Sequence, residues 1–491
     1  MNTQKLADLL YPHITKSVQD YQNSYKNRNL KQGQEVTRFA PSPTGYMHFG
    51  NFFGAFLDWQ IAESTNGVFY FRLEDTDKKR EIEGSGLVAI NILHEYGVIP
   101  NEGLTIDGGQ KGAYGPYIQS QRAEIYQTFA KYLVTKGRAF PCFCEKTDGI
   151  EEIKARREES IKYQNQIDTK DVCRHLTLEE IEENIKNGKK FALRLKSNGK
   201  PGEKIQAHDV IRGVRTLEAN SKDIILMKSD GIPPYAFAHA VDDHLMQTTT
   251  VVRGEEWYIS YPSHLEIFDA LGFTPPKYLH NPVILKIDSE TGNKRKLSKR
   301  KDPEADMRYF GKTGYPKQAV IEYLFTLSNG NFEVWKLQNP EKSIYDFEFS
   351  AEKIGSSNPM FDLMKLNDIS KNYISTLTAQ EVYDNLLAYT QKYDREFFEV
   401  LSKDKNYALK VLSIDRGGKK PRKDFATWQD FKTFFDYMFG FAQLNKKEDF
   451  DFNGIDEQKV LEVLSNYTSV YNQNHDKQQW FDNVKEMGVK I

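Results

Sequence analysis

Cysteine is scarce in this chain, with three among 491 residues. An odd and small number excludes a disulfide-stapled secreted domain. No apolar run reaches the roughly 18 residues of a membrane helix. The opening residues, MNTQKLADLLYPHITKSV, also lack the unbroken apolar stretch of a secretory signal. An excess of one charge is missing too: 67 Lys and Arg face 69 Asp and Glu, a formal net charge of −2. Any surface for nucleic acid must therefore be local. These absences predict a soluble, cytoplasmic protein with no membrane partner, and the length allows roughly three to four domains.

Residues 6–14 form a short amphipathic stretch, and the polar run 19–34 follows, so an appended helix and a linker are expected over residues 1–33. From Val36 the pattern changes. A short apolar strand at 37–40 leads into the turn-rich PSPTG of 41–45, a helical pattern over 48–64 and a buried strand over 68–73. That strand ends in Glu74, Asp75, Thr76 and Asp77. Strand, loop, helix, strand is the opening of a parallel α/β sheet, whose ligands bind at the carboxyl ends of the strands.

Residues 41–50 occupy that position. A helix start presents free N–H groups to phosphate, His48 can donate to a phosphate oxygen, and Gly45 and Gly50 let a nucleotide approach the backbone. An isolated His-x-Gly is more often structural. Some 250 residues later, however, positions 294–301 read KRKLSKRK, six cations in eight residues, after the apolar strand 283–285. Such a run usually forms a solvated face, but in a Gly-containing loop it can close over a triphosphate and neutralise leaving pyrophosphate.

Taken together, RFAPSPTGYMHFGN at 38–51 resembles the "HIGH" region of the bacterial-type glutamyl-tRNA synthetases, and KLSKR at 296–300 resembles their "KMSKS" loop. FRLEDTD at 71–77, YAFAHAVDDHLM at 235–246 and RGEEW at 253–257 are similar to the same class I family, in the same order. The resemblance is strong from Val36 to about Arg300 and weaker beyond. It implies an α/β fold: a Rossmann-like class I catalytic domain with an α+β insertion, followed by a helical C-terminal anticodon-binding region. The expected divisions are an N-terminal extension (1–33), the two catalytic halves (34–115 and 221–310), an acceptor-stem-binding insertion (116–220), a stem-contact region (311–375) and an anticodon domain (376–491).

The implied reaction joins L-glutamate, through an adenylate made from ATP with Mg2+, to the 3′ end of tRNA(Glu). Charging of tRNA(Gln) is left open, and a monomer is expected. Attack of a carboxylate on the α-phosphate calls for positioning and charge stabilisation, not a protein nucleophile. His48, Lys296, Ser298 and Lys299 take that catalytic role by position in the motifs. For glutamate the motifs supply Arg38 and Arg253 to the side-chain carboxylate, Glu74 to the ammonium, and Ser42, Tyr235 and His239 to the pocket. Thr44, His48, Gly50, Glu256, Trp257 and Lys299 fall where the family holds ATP. Judged singly, an Arg or Glu at a strand end is usually a surface ion pair worth at most about 1 kcal/mol, and Tyr235 and Trp257 would be ordinary packing aromatics. Their joint order favours the site.

Cys142-Phe-Cys144 and Cys173-Arg-His175, 28 residues apart, offer three thiolates and an imidazole. This donor set suits a tetrahedral structural Zn2+, though the spacing is tighter than usual and three reduced cysteines remain the alternative. The similar arrangement in zinc-containing members favours zinc. The charged stretch 151–170 and Arg194, on a strand over 191–195, belong to the same insertion.

Beyond the basic loop the pattern predicts helices over 319–328 and 351–369 and a helical series from 379 onward. Within it, Arg416, Lys419, Lys420, Arg422 and Lys423 flank a Gly-Gly turn and are expected to follow the tRNA backbone, a bare basic loop being the alternative. Phe53 and His239 depart from the family, which often has Arg and Asn there. The ending at Ile491 suggests an abbreviated anticodon domain or a cut chain. The rival readings are a glutaminyl-tRNA synthetase, which usually carries a different segment at 40–45, a truncated tRNA-modifying relative without the helical C-terminal part, and a non-catalytic tRNA-binding paralogue.

Overall fold

The computed structural model describes residues 2–77, 80–144, 172–418, 420–441 and 454–490. The stretch 151–170 and Lys419 lie outside them. The chain opens with helices α1 (Thr3–Leu10) and α2 (Val18–Ser24), then strand β1 (Val36–Phe39), α3 (Phe49–Ser64), β2 (Val68–Phe71), α4 (Ser85–Glu95), β3 (Glu102–Leu104) and β4 (Gln110–Lys111). β1, β2 and β3 are parallel, and β4 returns antiparallel on β3. The expected helix and both strands are present within two residues of their predicted limits. All four residues of β1 are buried, Arg38 included, as expected of a strand covered on both faces.

Then come α5 (Ala123–Thr135), β5 (Ala139–Cys142), α6 (Leu178–Lys186), β6 (Ala192–Leu195), the hairpin β7 (Lys204–Asp209) and β8 (Gly213–Glu218), within the expected insertion of 116–220, and β9 (Ile225–Met227) beyond it. β5, β6 and β9 make a separate antiparallel sheet. Next come α7 (Tyr235–Leu245), β10 (Thr250–Gly254), α8 (Tyr261–Leu271) and β11 (Lys277–Asn281). β10 and β11 are parallel, and the β7–β8 hairpin joins β11 at Tyr278 and Asp209. β1 lies beside β10: Thr249 N–H donates to the Val36 carbonyl (2.9 Å) and Val36 N–H to Thr249 Oγ1 (2.7 Å). The two halves of the parallel layer are thus spliced across the insertion.

The basic segment is a hairpin of β12 (Leu285–Ile287) and β13 (Lys294–Lys296) rather than a plain loop after a strand at 283–285. Helices α9 (Arg308–Thr313), α10 (Lys317–Ser328), α11 (Asn331–Gln338) and α12 (Leu363–Thr376) follow. α10 is the helix predicted over 319–328. The one predicted over 351–369 is split into a single 3-10 turn (Ala351–Lys353) and α12. Pro359 lies between them, and Asp362 restarts the helix by accepting from the Met364 (2.8 Å) and Lys365 (3.4 Å) N–H groups. The C-terminal series is α13 (Ala379–Tyr393), α14 (Arg395–Lys403), α15 (Lys405–Leu412), α16 (Trp428–Phe434), α17 (Asp436–Phe439), α18 (Glu457–Val470) and α19 (Lys477–Lys490).

The main core surrounds α3. Phe49, Phe52, Phe53 and Phe56 are buried there, with Phe56 edge-on to Phe325 of α10 at 5.0 Å; each such ring contributes about 1.5–3 kcal/mol. Phe53 is therefore a core residue, with no route to a ligand. The segment expected to be a linker contains α2, capped by Ser17 and Asp20 in a reciprocal capping box. Leu6, Leu10, Ile14 and Tyr21 pack into the core of α5, α7 and α8. Among the described residues no helix is long and apolar enough to cross a membrane.

Candidate active site

A cleft of about 1700 Å3 opens at the carboxyl ends of β1, β2 and β10. It brings together Arg38, Ser42, Thr44, His48, Gly50, Glu74, Tyr235, Arg253, Glu256, Trp257 and Lys296. The predicted residues Lys299, Ser298 and His239 lie beside or beneath it.

Its floor is a desolvated charge network. Asp243 on α7 is fully buried and accepts from Arg72 Nη1 (2.6 Å), Arg38 Nε (3.4 Å) and His239 Nδ1 (2.5 Å). Burial opposes its ionisation, but Arg72 and Arg38 hold its carboxyl well below the usual carboxylate range. Arg72 also donates to Glu74 Oε1 (3.0 Å). Burial pushes the Glu74 carboxyl up to about 7 against the pull of Arg72 and Arg38. Arg38, 3% exposed, keeps its charge because Asp243 more than offsets burial, and its Nη1 donates to the Val252 carbonyl (3.2 Å).

His239 does not line the cleft. Its Nε2 faces the Tyr278 hydroxyl (2.8 Å), and the Tyr235 ring stacks over it at 5.3 Å. Burial lowers its pKa to about 4, so the ring is neutral, with Nδ1–H donating to Asp243 and Nε2 accepting from Tyr278. This residue supports the pocket from below.

Arg253 forms the opposite wall. Its Nε donates to His280 Nε2 (2.9 Å), and His280 Nδ1 is turned to Asp209 (2.7 Å), which fixes the tautomer. Nη1 faces His264 Nδ1 (3.3 Å), whereas Nη2 is buried without a hydrogen-bond partner. A guanidinium edge so held suits a carboxylate. Tyr235 and Trp257 close this side with ring centroids 4.4 Å apart.

The side around the start of α3 is built differently. His48 caps α3, its Nδ1 accepting from Gly50 N–H (2.9 Å). Burial, with Lys299 and Lys296 nearby, lowers its pKa to about 4, so the ring is neutral and Nε2 carries the proton. Lys299 donates to the Tyr46 carbonyl, over Gly45, whose φ of 145° suits glycine. That contact joins the two motif segments, and Met307 N–H, just beyond the second, bonds the Met47 carbonyl at 3.2 Å. Lys296 and Lys299 are exposed. Ser298 shapes the turn instead: its carbonyl accepts from Asp302 N–H, and its own N–H donates to Asp302 Oδ2 (both 2.8 Å). Arg295, one of the six cations, is bound by Asp288 (2.6 Å) and Asp302 (2.6 Å) and is not available to phosphate.

Cys142, Cys144 and Cys173 bring their Sγ atoms within 4.8 Å of one another at the far end of the cleft, where Cys142 and Cys144 are among its lining. Three thiolates this close fit three positions of a tetrahedral zinc. His175 does not join them; it is exposed at the end of the 3-10 turn Val172–His175, because the turn that buries Cys173 carries the next-but-one side chain away.

The basic stretch of the C-terminal region also differs from expectation. Arg416 donates to the Leu412 (3.0 Å), Ile374 (2.7 Å) and Leu377 (3.0 Å) carbonyls. Arg422 pairs with Asp424 (2.5 Å) and stacks on Phe434 at 4.4 Å. Both guanidiniums are used within the domain, and the described cations left exposed are Lys420 and Lys423.

Sequence reasoning did not assign Arg72, Asp242, Asp243 or Gln119, which tie the floor together. Arg72, Asp242 and Asp243 stand inside quoted motifs, so a charge set among apolar neighbours was a usable signal. Gln119 carried none.

The profile of the class I tRNA synthetases (E and Q), catalytic domain, matches residues 34–368. A glutamate–tRNA ligase of Acetivibrio thermocellus is 45% identical over 493 residues, spanning 100% of this chain and 89% of that protein. One of Clostridium beijerinckii is 41% identical over 502 residues, spanning 100% and 89%. Among solved structures, a glutamate tRNA ligase of Elizabethkingia meningosepticum in complex with its amino acid superposes with a TM-score of 0.73 over 93% of this chain and 90% of that one, at 24% identity, a likeness of fold. With both motif segments joined across one cleft and the match running from β1 into α12, the chain belongs to the class I tRNA synthetases of the E and Q group.

Proposed function

We propose that the protein is a glutamate–tRNA ligase, which activates L-glutamate with ATP and transfers it to the terminal adenosine of tRNA(Glu). The observation that carries this reading is the pairing of Arg253, its Nη2 buried and unpartnered, with Glu74 and Arg38 in one cleft. A carboxylate side chain needs the arginines, and an α-ammonium needs the glutamate. Glutamine, lacking the negative charge, would leave a buried guanidinium edge uncompensated. The relatives named above as glutamate–tRNA ligases support the same choice.

ATP enters with its Mg2+ against the start of α3. His48 Nε2–H and the α3 N–H groups meet the phosphates, and Lys299 and Lys296 approach the charge that develops as pyrophosphate leaves. The amino-acid carboxylate attacks the α-phosphorus, and the bond to the bridging oxygen of pyrophosphate breaks; no protein nucleophile takes part. Ser42, Thr44, Gly50, Glu256 and Trp257 are the expected further contacts. In this reading the insertion meets the acceptor end of the tRNA, and Cys142, Cys144 and Cys173 hold a structural zinc that clips the long excursion between them. α12 and the neighbouring helices touch the stem, and the C-terminal helices, with Lys420 and Lys423, read the anticodon end. The enzyme acts as a cytoplasmic monomer, which sedimentation would check.

Aminoacylation with radiolabelled glutamate and ATP, on purified tRNA(Glu) and tRNA(Gln) side by side, tests the proposal. Charging of the first alone means a discriminating enzyme, and charging of both a non-discriminating one. Charging of neither would overturn the reading in favour of a tRNA-binding protein.

A further inference from the structure

Residues 2–33 form a strap that ends on the back of the charge network. Arg28 grips Glu102 with two bonds (both 2.9 Å), donates through Nε to the Met246 carbonyl (2.9 Å), and lies over the Tyr114 ring at 3.7 Å. Lys26 offers its carbonyl to Tyr114 (2.6 Å) and Gln247 (2.7 Å). The strap thus braces the C-terminal end of α7, the helix that carries Tyr235, His239, Asp242 and Asp243.

One hydroxyl of the strap enters the network itself. Tyr25 accepts from Arg122 Nη1 (2.8 Å) and donates to the Gly115 carbonyl (3.0 Å). Arg122 is fully buried and donates Nε to Asp242 (2.7 Å). Asp242 also accepts from Gln119 (2.8 Å) and Tyr126 (2.8 Å) and lies 3.6 Å from Arg72 Nε. Arg72 then bonds Glu74 and Asp243 in the cleft floor. From Arg122 inward every link is a buried charge or a donor to one, and Tyr25 accepts from the outermost of these charges, so displacement of one member leaves another uncompensated.

We propose that Tyr25 is a positioning residue for the amino-acid pocket: by holding Arg122 on Asp242, it keeps Arg72 free to orient Glu74 and Asp243. This rests on the glutamate-ligase reading of the cleft. Without the hydroxyl, Arg122 loses one of its anchors, Asp242 leans toward Arg72, Glu74 loses its fixed partner and Asp243 one of its two arginines. The nucleotide side shares none of these links.

The test compares Tyr25→Phe with Tyr21→Phe in the full chain. Tyr21 lies in the same strap, but its ring faces Lys16 and the network does not include it. With saturating tRNA, Tyr25→Phe should raise KM for glutamate about five-fold and leave KM for ATP unchanged, whereas Tyr21→Phe should change neither. Hydrogen exchange of the substrate-free protein supplies an arm that needs no activity: Tyr25→Phe should speed exchange in peptides covering 70–77 and 235–245, and Tyr21→Phe should not. If wild-type protein charges no glutamate, the functional reading fails while the exchange arm still decides the coupling. Unchanged exchange, or faster exchange with an unchanged glutamate KM, or equal effects of the two variants, overturns the proposal.

Discussion

The two sides of the cleft hold their charges in opposite ways. On the amino-acid side Arg38, Arg72, Glu74 and Asp243 are buried, each with a fixed partner. On the nucleotide side Lys296 and Lys299 are exposed, and Lys299 rests on a main-chain carbonyl. A buried, interlocked charge can recognise a small ligand without rearranging, but it cannot move. An exposed lysine on a turn can move with the charge it serves. In the proposed reading selection falls to the floor and catalysis to the rim, and substitutions should separate them.

The largest effect is expected at the rim. Lys299→Ala should lower kcat by roughly 10^2 to 10^3, as loss of a transition-state charge contact does, while stability and tRNA binding stay near wild type. An equal loss of tRNA binding would break the contrast. At the floor, Arg38→Met should lower unfolding free energy by about 3 kcal/mol, because Asp243 stays buried with one cation fewer, and should weaken glutamate use. A denaturant titration that finds no change would mean the network is not interlocked.

A pH series sharpens the comparison. Glu74 must be ionised to meet an ammonium, and burial raises its carboxyl to about 7. Below that pH, kcat/KM for glutamate should fall about tenfold per unit, and Glu74→Gln should abolish this limb together with most of the activity. His48, with its pKa lowered to about 4 by burial, should add no limb near neutrality. Because the folded carboxyl binds its proton more tightly than the unfolded one, its contribution to stability is greatest at low pH and is lost as pH rises through about 7.

The smallest effect concerns the thiol cluster. Metal analysis of purified protein should find one zinc per chain, lost in Cys144→Ser and retained in His175→Ala, since His175 is turned away from the thiols. Wild-type protein without zinc would mean that the cysteines are merely reduced, and retention in Cys144→Ser would place the metal elsewhere.

The pocket was legible because its chemistry is written in short contiguous runs: Arg38 to Gly50, Glu74, Arg253 to Trp257. The parallel sheet was legible from β1, α3 and β2, whose periodicities are clean. The network beneath was not, since Asp242 and Gln119 meet only through folding across 123 positions; Asp242 stands in a quoted motif, but nothing local marks its partner. Arg416 and Arg422 misled for the converse reason. A basic run looks exposed, yet a guanidinium stem packs readily on aromatics and its fork caps carbonyls. The strap was underestimated because α2 is polar on most of its turns, and Tyr21 alone shows its buried side.

The splice of β1 beside β10 also sets a timetable. Val36 and Thr249 are 213 positions apart. A ribosome adding about 5–20 residues per second therefore completes β1 roughly 10–40 s before its second neighbour exists. Through that interval one edge of an apolar strand pair waits without its partner, so nascent chains stalled inside the insertion should be the species most readily captured by a chaperone.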